Sequence, residues 1–507
     1  TMALTKSRNR MTAGAPVNVL DYGVLGDGTD ETTKLQDALN AAAGSTLVFE
    51  SGKTYGFTSL SIPSSVTIVA RGALFRRTVA AATWAVTING NFIADEFVYS
   101  TPGSVAATDQ GILIYGSNVT IGVLKSTVDT ADYGNFALRI EGASLVSDVS
   151  IGRVVTGKWL SHFQVFNCTR VRIGYIDLSS YTTGLYIRDT SKSQFSGGHM
   201  RTVSPTAVGS AGQNGILVES TLLTGSVNNL TFTDFVIEDS AEHAVRFGGQ
   251  LTIEDIWLTR IHTRNSGAGG AGATGGTGLG ATSVTGEKHK RFHISDCTVL
   301  DVSTTGTGQG NFCGFDLGVA EDIYITSCYV GAKNNTYSCW LGIELISVER
   351  VSIVNTTVDK ARQAFVRFNN NTTSVGYLPQ VKEVNISGGQ FRNSTDAYAL
   401  YFVGLGGIYS EIQITGVTIH GGGPSAIVRA DAPTGAGSYA NIQIEATHRN
   451  PASTAAGPPL QCGNRFTYRW TGPYYGSSAA EALDGSTFTD TTTPNFRTRK
   501  AGAWVVL

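Results

Sequence analysis

The chain has 507 residues with 61 Gly, only 12 Pro and 15% charged side chains, and its formal net charge is -2. This composition excludes a collagen-like chain and a Pro-rich disordered chain. The small net charge gives no reason to expect nucleic acid or an anionic membrane surface as a partner. No apolar run approaches the roughly 20 residues that a membrane span needs, so we expect no membrane partner.

Cysteine spacing in the chain argues against a metal site. None of the six cysteines forms a Cys-x-x-Cys pair, and no cluster of histidines completes a familiar zinc spacing. We therefore predict no bound metal and no cofactor. Free thiols of this kind suit a protein that is assembled in a reducing cytoplasm.

The first 45 residues predict a leader followed by a cap. Residues 1–15 are polar and basic, and residues 16–30 give a short strand and a turn rich in Gly and Asp. From residue 32 to residue 43, Leu35 and Leu39 recur at helical spacing, and Gly44 follows as a candidate C-cap. An amphipathic helix of this kind can cover the open apolar end of a solenoid.

Residues 46–455 repeat one short pattern, in which a strand with alternate apolar residues is followed by a small or polar corner. No single coil of such a repeat buries its own inward side chains, so each coil must stack on the next. The pattern predicts an all-β fold, a parallel β-helix that is right-handed by the general preference of parallel crossovers. The apolar positions that we align from coil to coil are Ile121, Ile151, Ile173, Phe195, Phe232, Leu258, Ile294, Ile325, Ile353, Ile386, Ile414 and Ile444.

Two stretches depart from the repeat. Residues 266–286 are rich in Gly and cannot form a packed core, so we expect a flap or an excursion that conceals one strand near residues 279–283. Beyond Pro451, Pro458 and Pro459 the repeat fades. Residues 456–507 then predict a small β-rich region that closes the last coil.

The N-terminal motifs allow a comparison with known families. Residues 17–32 read Val-Asn-Val-Leu-Asp-Tyr-Gly-Val-Leu-Gly-Asp-Gly-Thr-Asp-Glu-Thr, and residues 47–55 read Leu-Val-Phe-Glu-Ser-Gly-Lys-Thr-Tyr. With the helix between them, these runs resemble the start of pectate-lyase-like β-helix proteins, in particular the tailspike depolymerases of tailed bacteriophages. The specific motif covers about residues 7–60, and the repeat extends the likeness to about residue 450.

This resemblance carries expectations about assembly and function. It implies a homotrimer in the virion, joined to the phage tail or baseplate through its N-terminal end. It also implies that residues 456–507 contribute to assembly of the trimer. Such a protein is synthesised in the host cytoplasm and acts at the surface of the host bacterium. The resemblance also implies that the chain binds and depolymerises a capsular or O-antigen polysaccharide.

Strand alternation predicts which side chains face outward along the repeat. Asp316 and Glu344 fall on neighbouring coils, about 4.8 Å apart, with one hidden coil before Asp316. Two carboxyls this close can divide into a protonated acid and an ionised base, which is the requirement for hydrolysing a glycosidic bond. The alternative is a solvated or neutralised pair without a catalytic role. The outward row that we align consists of Arg188, Glu219, Arg246, Asp316, Glu344 and Arg367.

Other residues extend this site. Glu219 is a reserve carboxylate, and Glu242 with His243 is an alternative acid–base pair at a nearby corner. For substrate binding we predict Arg188, Arg246, Arg367, Tyr186 and Trp340.

Two other functions stay open. A polysaccharide lyase needs a base and a cationic clamp, and the candidate bases are Tyr186, His243, Lys288 and His289. Arg188 or Arg246 would serve as the clamp. A glycan-binding adhesin needs neither an acid nor a base, and the outward carboxylates argue against it.

Overall fold

The computed structural model describes residues 16–103, 109–130, 134–179, 183–201, 214–221, 227–240, 242–249, 251–267, 277–283, 288–302, 313–333, 339–370, 380–394, 398–403, 406–421, 428–431, 438–449, 460–461, 467–471, 487–489, 496–500 and 503–506. The chain forms two compact units, of which the first runs to Val236 and the second begins at Ile237. No helix in the described part of the chain is long and apolar enough to cross a membrane.

A helix lies against the first strands, as the spacing of its leucines predicts. The 3₁₀ helix Val19–Tyr22 precedes α1, Thr32–Ala41, and α1 contacts the first strands of the unit. Leu35 and Leu39 of α1 are buried. The predicted C-cap at Gly44 is wrong, because α1 ends three residues earlier. Gly44 belongs to the turn that follows, where its φ of 77° is left-handed.

The first unit is built from stacked parallel strands in two sheets. One sheet contains β1 (Val17–Asn18), β2 (Asp27–Asp30), β3 (Thr46–Val48), β4 (Thr54–Phe57), β6 (Thr67–Val69), β7 (Leu74–Arg77), β9 (Phe92–Thr101), β11 (Val119–Val128), β13 (Val146–Gly157), β15 (Cys168–Ser179), β17 (Ser191–Arg201) and β19 (Val227–Glu238). The other sheet contains β5 (Leu60–Ile62), β8 (Trp84–Ile88), β10 (Gln110–Ile114), β12 (Gly134–Ile140), β14 (Trp159–Phe166), β16 (Thr183–Arg188) and β18 (Ile216–Ser220).

The second unit repeats this plan. Its first sheet contains β21 (Ile253–Thr259), β22 (His262–Arg264), β24 (His289–Ser295), β25 (Thr298–Leu300), β27 (Ala320–Thr326), β28 (Tyr329–Gly331), β30 (Glu349–Val354), β31 (Thr357–Asp359), β33 (Gln380–Ser387), β34 (Gln390–Ser394), β36 (Ile408–Gly421), β38 (Ser438–Arg449), β40 (Thr467–Thr471), β41 (Thr487–Thr489), β42 (Phe496–Lys500) and β43 (Ala503–Val506). Its second sheet contains β20 (Val245–Gly249), β23 (Thr277–Ser283), β26 (Cys313–Gly318), β29 (Cys339–Ile346), β32 (Ala361–Asn369), β35 (Tyr398–Phe402), β37 (Val428–Ala430) and β39 (Leu460–Gln461).

The coils stack in the register that the sequence alignment predicts. In the first unit Ile121 lies opposite Ile151, Ile151 opposite Ile173, and Ile173 opposite Phe195. These side chains are buried and form one internal stack, which confirms the parallel β-helix. In the second unit, each aligned position also lies opposite the next one on the neighbouring strand. These positions are Leu258, Ile294, Ile325, Ile353, Ile386, Ile414 and Ile444.

Each unit carries a column of left-handed residues at one corner of its coils. Asn and Asp tolerate this conformation because their short polar side chains bond locally. The arginines in the columns bond to an aspartate one coil away, as Arg170 does to Asp148 with two hydrogen bonds of 2.7 Å. The first column is Asn91, Asn118, Asp148, Arg170 and Lys192, with φ between 44° and 61°. The second is Asp255, Arg291, Asp322, Arg350, Glu383, Glu411 and Asn441, with φ between 52° and 57°.

The strand predicted inside the Gly-rich stretch is present. β23 pairs in parallel with β20 on one side and with β26 on the other. The remainder of that stretch lies outside the described residues, as do the leader (1–15) and the Pro-rich boundary (450–459). At the C-terminal end β42 pairs with β41 and with β43 in antiparallel fashion.

Candidate active site

Neighbouring strands of the second unit bring the predicted acid–base pair together. Asp316 on β26 lies opposite Glu344 on β29, and Glu344 lies opposite Arg367 on β32. On the other side of Asp316, Gly280 of β23 takes the same position and lies opposite Arg246 of β20. The register predicted from Arg246 to Arg367, with its hidden coil, is therefore confirmed.

Glu344 points away from the core but is not open to solvent. Its strand neighbours Ile343 and Leu345 are buried core residues, so alternation turns Glu344 to the opposite face. It is nevertheless only 1% exposed. The outward position predicted by alternation is therefore found, and neighbouring side chains close over the carboxylate there.

Three side chains donate to the Glu344 carboxylate. Its Oε1 accepts hydrogen bonds from Nε and Nη2 of Arg367, the former at 2.8 Å, and from Nδ2 of Asn369 at 3.0 Å. Its Oε2 accepts a weak hydrogen bond from Sγ of Cys313 at 3.4 Å. The arginine and the amide are thus directed to Oε1, whereas the thiol is directed to Oε2.

Asp316 has the opposite surroundings. Its side chain is half-buried, and its Oδ1 is a buried atom without a hydrogen-bond partner among the described residues. Burial, reinforced by the negative charge of Glu344, raises the pKa of Asp316 to about 8, although Arg367 opposes the shift. Asp316 is therefore mainly protonated at neutral pH, and it can donate a proton.

Apolar side chains continue the site along the sheet. Cys313, Leu341 and Ala364 form a buried stack, and Trp340 and Tyr401 pack against it while remaining partly exposed. Since Cys313 also touches Glu344, this stack is continuous with the carboxyl pair. Two partly exposed aromatic side chains therefore pack against the same stack that contacts Glu344.

Trp340, which we predicted to bind substrate, is held by two polar neighbours. Its indole Nε1 donates to Oε1 of Gln363 at 2.9 Å. The guanidinium of Arg362 lies 4.5 Å from the centre of its ring. The ring is therefore fixed in orientation before any ligand arrives, which lowers the entropic cost of binding.

The alternative acid–base pair lies beside Arg246. Nη1 of Arg246 donates to Oε1 of Glu242 at 3.3 Å, and Nδ1 of His243 lies 3.6 Å from the same oxygen. Burial lowers the pKa of His243 against the effect of Glu242. The imidazole is therefore neutral at neutral pH and can accept a proton close to a cation.

Two further candidate bases are engaged in structural contacts. His289 is fully buried, and its Nδ1 accepts the backbone N–H of Ile253 at 3.2 Å. Nζ of Lys288 forms an ion pair with Oε1 of Glu349 at 2.9 Å. The full burial of His289 makes it poorly suited to reach a substrate as a base, whereas that role of Lys288 stays a prediction.

The candidates of the first unit form a cluster of their own. Arg188 on β16 lies opposite Glu219 on β18, and Oη of Tyr186 donates to Oε2 of Glu219. Burial, followed by this hydrogen bond, raises the pKa of Tyr186, so its phenol stays protonated. Nη2 of Arg188 reaches Oε1 of Glu141 at 3.4 Å. Tyr186 is thus poorly suited to act as a base.

Sequence reasoning missed polar residues in both units. In the first unit, Arg139 donates to Glu141 at 3.1 Å and lies 4.5 Å from the ring centre of Phe136. In the second unit, Asn369 follows Arg367 by two positions and so shares its face. Alternation along β12 and β32 was the available signal. The alignment began at β16, two coils after β12, and it ended on β32 at Arg367, two residues before Asn369.

The chain was compared with known families, curated proteins and solved structures. No protein-family model matches the chain. A capsule-specific depolymerase of Klebsiella phage K64-1 is 28% identical over 149 residues, which are 29% of this chain and 17% of that protein. The chain therefore matches about a sixth of the length of this relative.

Three solved structures are similar to the chain. A mutant of the tailspike protein of E. coli bacteriophage HK620 has a TM-score of 0.48 and 11% identity, covering 97% of this chain and 90% of that one. The adhesin PfbA of Streptococcus pneumoniae has a TM-score of 0.39 and 12% identity, and the match covers 97% of this chain and 98% of that one. Tailspike protein 3 of bacteriophage CBA120 has a TM-score of 0.38 and 13% identity, and the match covers 97% of this chain and 68% of that one.

Proposed function

We propose that the chain is a polysaccharide depolymerase that hydrolyses glycosidic bonds in a bacterial capsular or O-antigen polysaccharide. The observation that carries the proposal is the asymmetry of two carboxyls on adjacent rungs. Asp316 holds a proton at neutral pH, whereas Glu344 is bound to Arg367 as an ion pair. The partial match to a capsule-specific phage depolymerase points to the same class of substrate.

Each group has a distinct role in the proposed reaction. Asp316 donates its proton to the glycosidic oxygen as the bond to the anomeric carbon breaks, so that the leaving sugar departs as an alcohol. Oε2 of Glu344 either takes a proton from the attacking water or attacks the anomeric carbon itself. Arg367 and Asn369 hold Oε1, so Oε2, which accepts a weak hydrogen bond from the Cys313 thiol, is the oxygen assigned to this step.

The proposal extends to the biological setting. We infer that the chain acts as a tailspike in a phage virion, assembles as a homotrimer and works on the surface of the host bacterium. Its N-terminal end would attach to the phage tail or baseplate.

A lyase is the second candidate, and one observation favours it. His243 is neutral and lies beside Glu242 and Arg246, so a base and a cation are adjacent. Such a pair can remove the proton next to the carboxylate of a uronic acid and stabilise the resulting anion.

Digestion of purified capsular and O-antigen polysaccharides tests these functions together. Hydrolysis releases new reducing ends without ultraviolet absorbance of an unsaturated sugar, and this is the result that we expect. Absorbance that grows with the reducing ends would show a lyase and would redirect attention to His243. Tight binding with neither signal would show a glycan-binding protein without catalytic activity.

A further inference from the structure

The row of the candidate active site continues beyond Arg367 into a second polar cluster. Tyr401 on β35 lies opposite Arg367, and Arg429 on β37 lies opposite Tyr401. Two rungs separate Tyr401 from Glu344, a distance of about 10 Å along the sheet. Tyr401 also packs against the apolar stack that touches the carboxyl pair. The candidate active site and this polar cluster therefore belong to one continuous surface of the second unit.

Hydrogen bonds and ring contacts hold this cluster in one geometry. The carboxylate of Asp431 accepts from Nε of Arg429 at 2.8 Å and from Oη of Tyr401 at 2.8 Å. Nη1 of Arg429 donates to Oη of Tyr398. The guanidinium carbon lies 5.2 Å from the ring centre of Tyr398 and 5.1 Å from that of Tyr401. Four side chains are thus mutually ordered without any ligand.

The cluster still has hydrogen-bonding capacity toward solvent. The Arg429 and Asp431 side chains are 37% and 31% exposed. No described residue accepts a hydrogen bond from Nη2 of Arg429, and each oxygen of Asp431 has accepting capacity left. An ordered donor therefore lies beside an ordered acceptor on the accessible side of the sheet.

The charges in the cluster decide which kind of sugar fits. An isolated guanidinium would attract a sugar that carries a carboxylate or phosphate. Here Asp431 cancels the charge of Arg429 at 2.8 Å and would repel a second anion. Sugar hydroxyls act both as donors and as acceptors, so a pair of neighbouring hydroxyls matches Arg429 and Asp431 together.

We propose that Tyr398, Tyr401, Arg429 and Asp431 form a subsite for an uncharged sugar residue of the polysaccharide, beside the reacting bond. The inference rests on the proposed function, and it adds the class of sugar that occupies this position. The tyrosine edges contribute apolar contact with the sugar ring, while the Arg429–Asp431 pair selects hydroxyls over anionic groups.

The test measures binding by isothermal titration calorimetry on an Asp316→Asn background, so that the ligand is not consumed. The probes are neutral and uronate-containing oligosaccharides, prepared by partial acid hydrolysis of one host capsular polysaccharide. We expect the background protein to bind the neutral fragments. Adding Asp431→Asn should weaken that binding by about tenfold, because a charged acceptor is lost. It should also strengthen binding of the uronate fragments, because Arg429 is then uncompensated.

Two controls make the outcome specific. Tyr401→Phe keeps the ring and loses only the hydroxyl that bonds Asp431, so it should produce a smaller loss in the same direction. Asp322→Asn removes the partner of an arginine elsewhere on the second unit, Arg350, and should leave binding unchanged. Thermal unfolding of each variant verifies that it is folded.

The results separate this inference from the proposed function. Unchanged binding in Asp431→Asn, or a preference of the background protein for uronate fragments, would overturn the subsite while leaving depolymerisation intact. Failure of the wild-type protein to bind or cleave any host polysaccharide would overturn both.

Discussion

Asp316 and Glu344 occupy equivalent positions on adjacent strands, yet one carboxyl is surrounded by hydrogen-bond donors and the other has a buried oxygen without any described partner. A solenoid places equivalent positions one rung apart, so it brings two carboxyls together without any special loop. The difference between them comes from Arg367 and Asn369, which lie on the side of Glu344 and not on that of Asp316.

The first prediction concerns the reacting carboxyls. Asp316→Asn and Glu344→Gln should each lower kcat by about a hundredfold to ten-thousandfold, because each removes one partner in general acid–base catalysis. Release of reducing ends from host polysaccharide measures the effect. Glu383→Gln is the matched control, since Glu383 is an exposed carboxylate paired with Lys382. Full activity in both site variants would contradict the proposed site.

The second prediction concerns the pH dependence of stability. The pKa of Asp316 is raised from 3.8 to about 8, so the folded state holds this proton more tightly than the unfolded state. The resulting contribution to the free energy of unfolding is complete below about pH 4, declines above it and is lost as pH passes about 8. Asp316→Asn lacks this decline, so its melting temperature should rise relative to wild type between about pH 5 and about pH 8. A difference that does not depend on pH would contradict the raised pKa.

The third prediction concerns the buried ion pair. Arg367→Met leaves the Glu344 carboxylate, whose side chain is 2% exposed, without its cation. We expect the free energy of unfolding to fall by about 3–5 kcal/mol, as measured by denaturant midpoints at constant slope. Adding Glu344→Leu should restore most of the loss, because the uncompensated charge is then removed. If the single and double variants are equally unstable, the loss comes from packing and not from charge.

The fourth prediction concerns the second candidate function, a polysaccharide lyase. Because burial and Glu219 raise the pKa of Tyr186, its phenol is a poor base. Tyr186→Phe should therefore leave kcat nearly unchanged, whereas loss of a true general base costs about a hundredfold or more. His243→Gln tested beside it examines the other candidate base. A large loss of kcat in Tyr186→Phe would contradict this prediction and would favour a lyase with its active site in the first unit.

The fifth prediction concerns the left-handed corner. Asn118 has φ of 60°, and Asn118→Val should cost about 1–2 kcal/mol of unfolding free energy, because a β-branched residue is strained there. Asn118→Gly should be close to neutral, since glycine adopts this conformation freely. Thr120→Val, two residues later on β11, is the control, because Thr120 is exposed and has no left-handed backbone. Equal losses in both Asn118 variants would assign the effect to the hydrogen bond with Asn91.

The fold was largely predictable because its signal is local and repeated. Each coil contributes an apolar residue such as Ile325 at the same place in the same short pattern, and stacking then fixes the register. Even the strand within the Gly-rich stretch follows, because Arg246 and Asp316 would otherwise be adjacent to each other. The alignment requires one coil between them.

The state of the candidate site was less predictable. Alternation shows which face Glu344 occupies but does not show that Arg367 and Asn369 close over it. Such coverage depends on how far side chains from the next coil extend, and a sequence pattern does not encode that reach. The prediction of a C-cap at Gly44 was wrong for a related reason, because a favourable cap residue does not decide where the last helical turn ends.

The corner column of the second unit has a consequence for the history of the chain. From Asp255 through Arg291, Asp322 and Arg350 to Glu383, the sign of charge alternates at every coil. Deleting one coil here would place two charges of equal sign on neighbouring rungs, whereas deleting or duplicating two coils would preserve the alternation. Growth or shortening of this part of the solenoid is therefore favoured in steps of two coils.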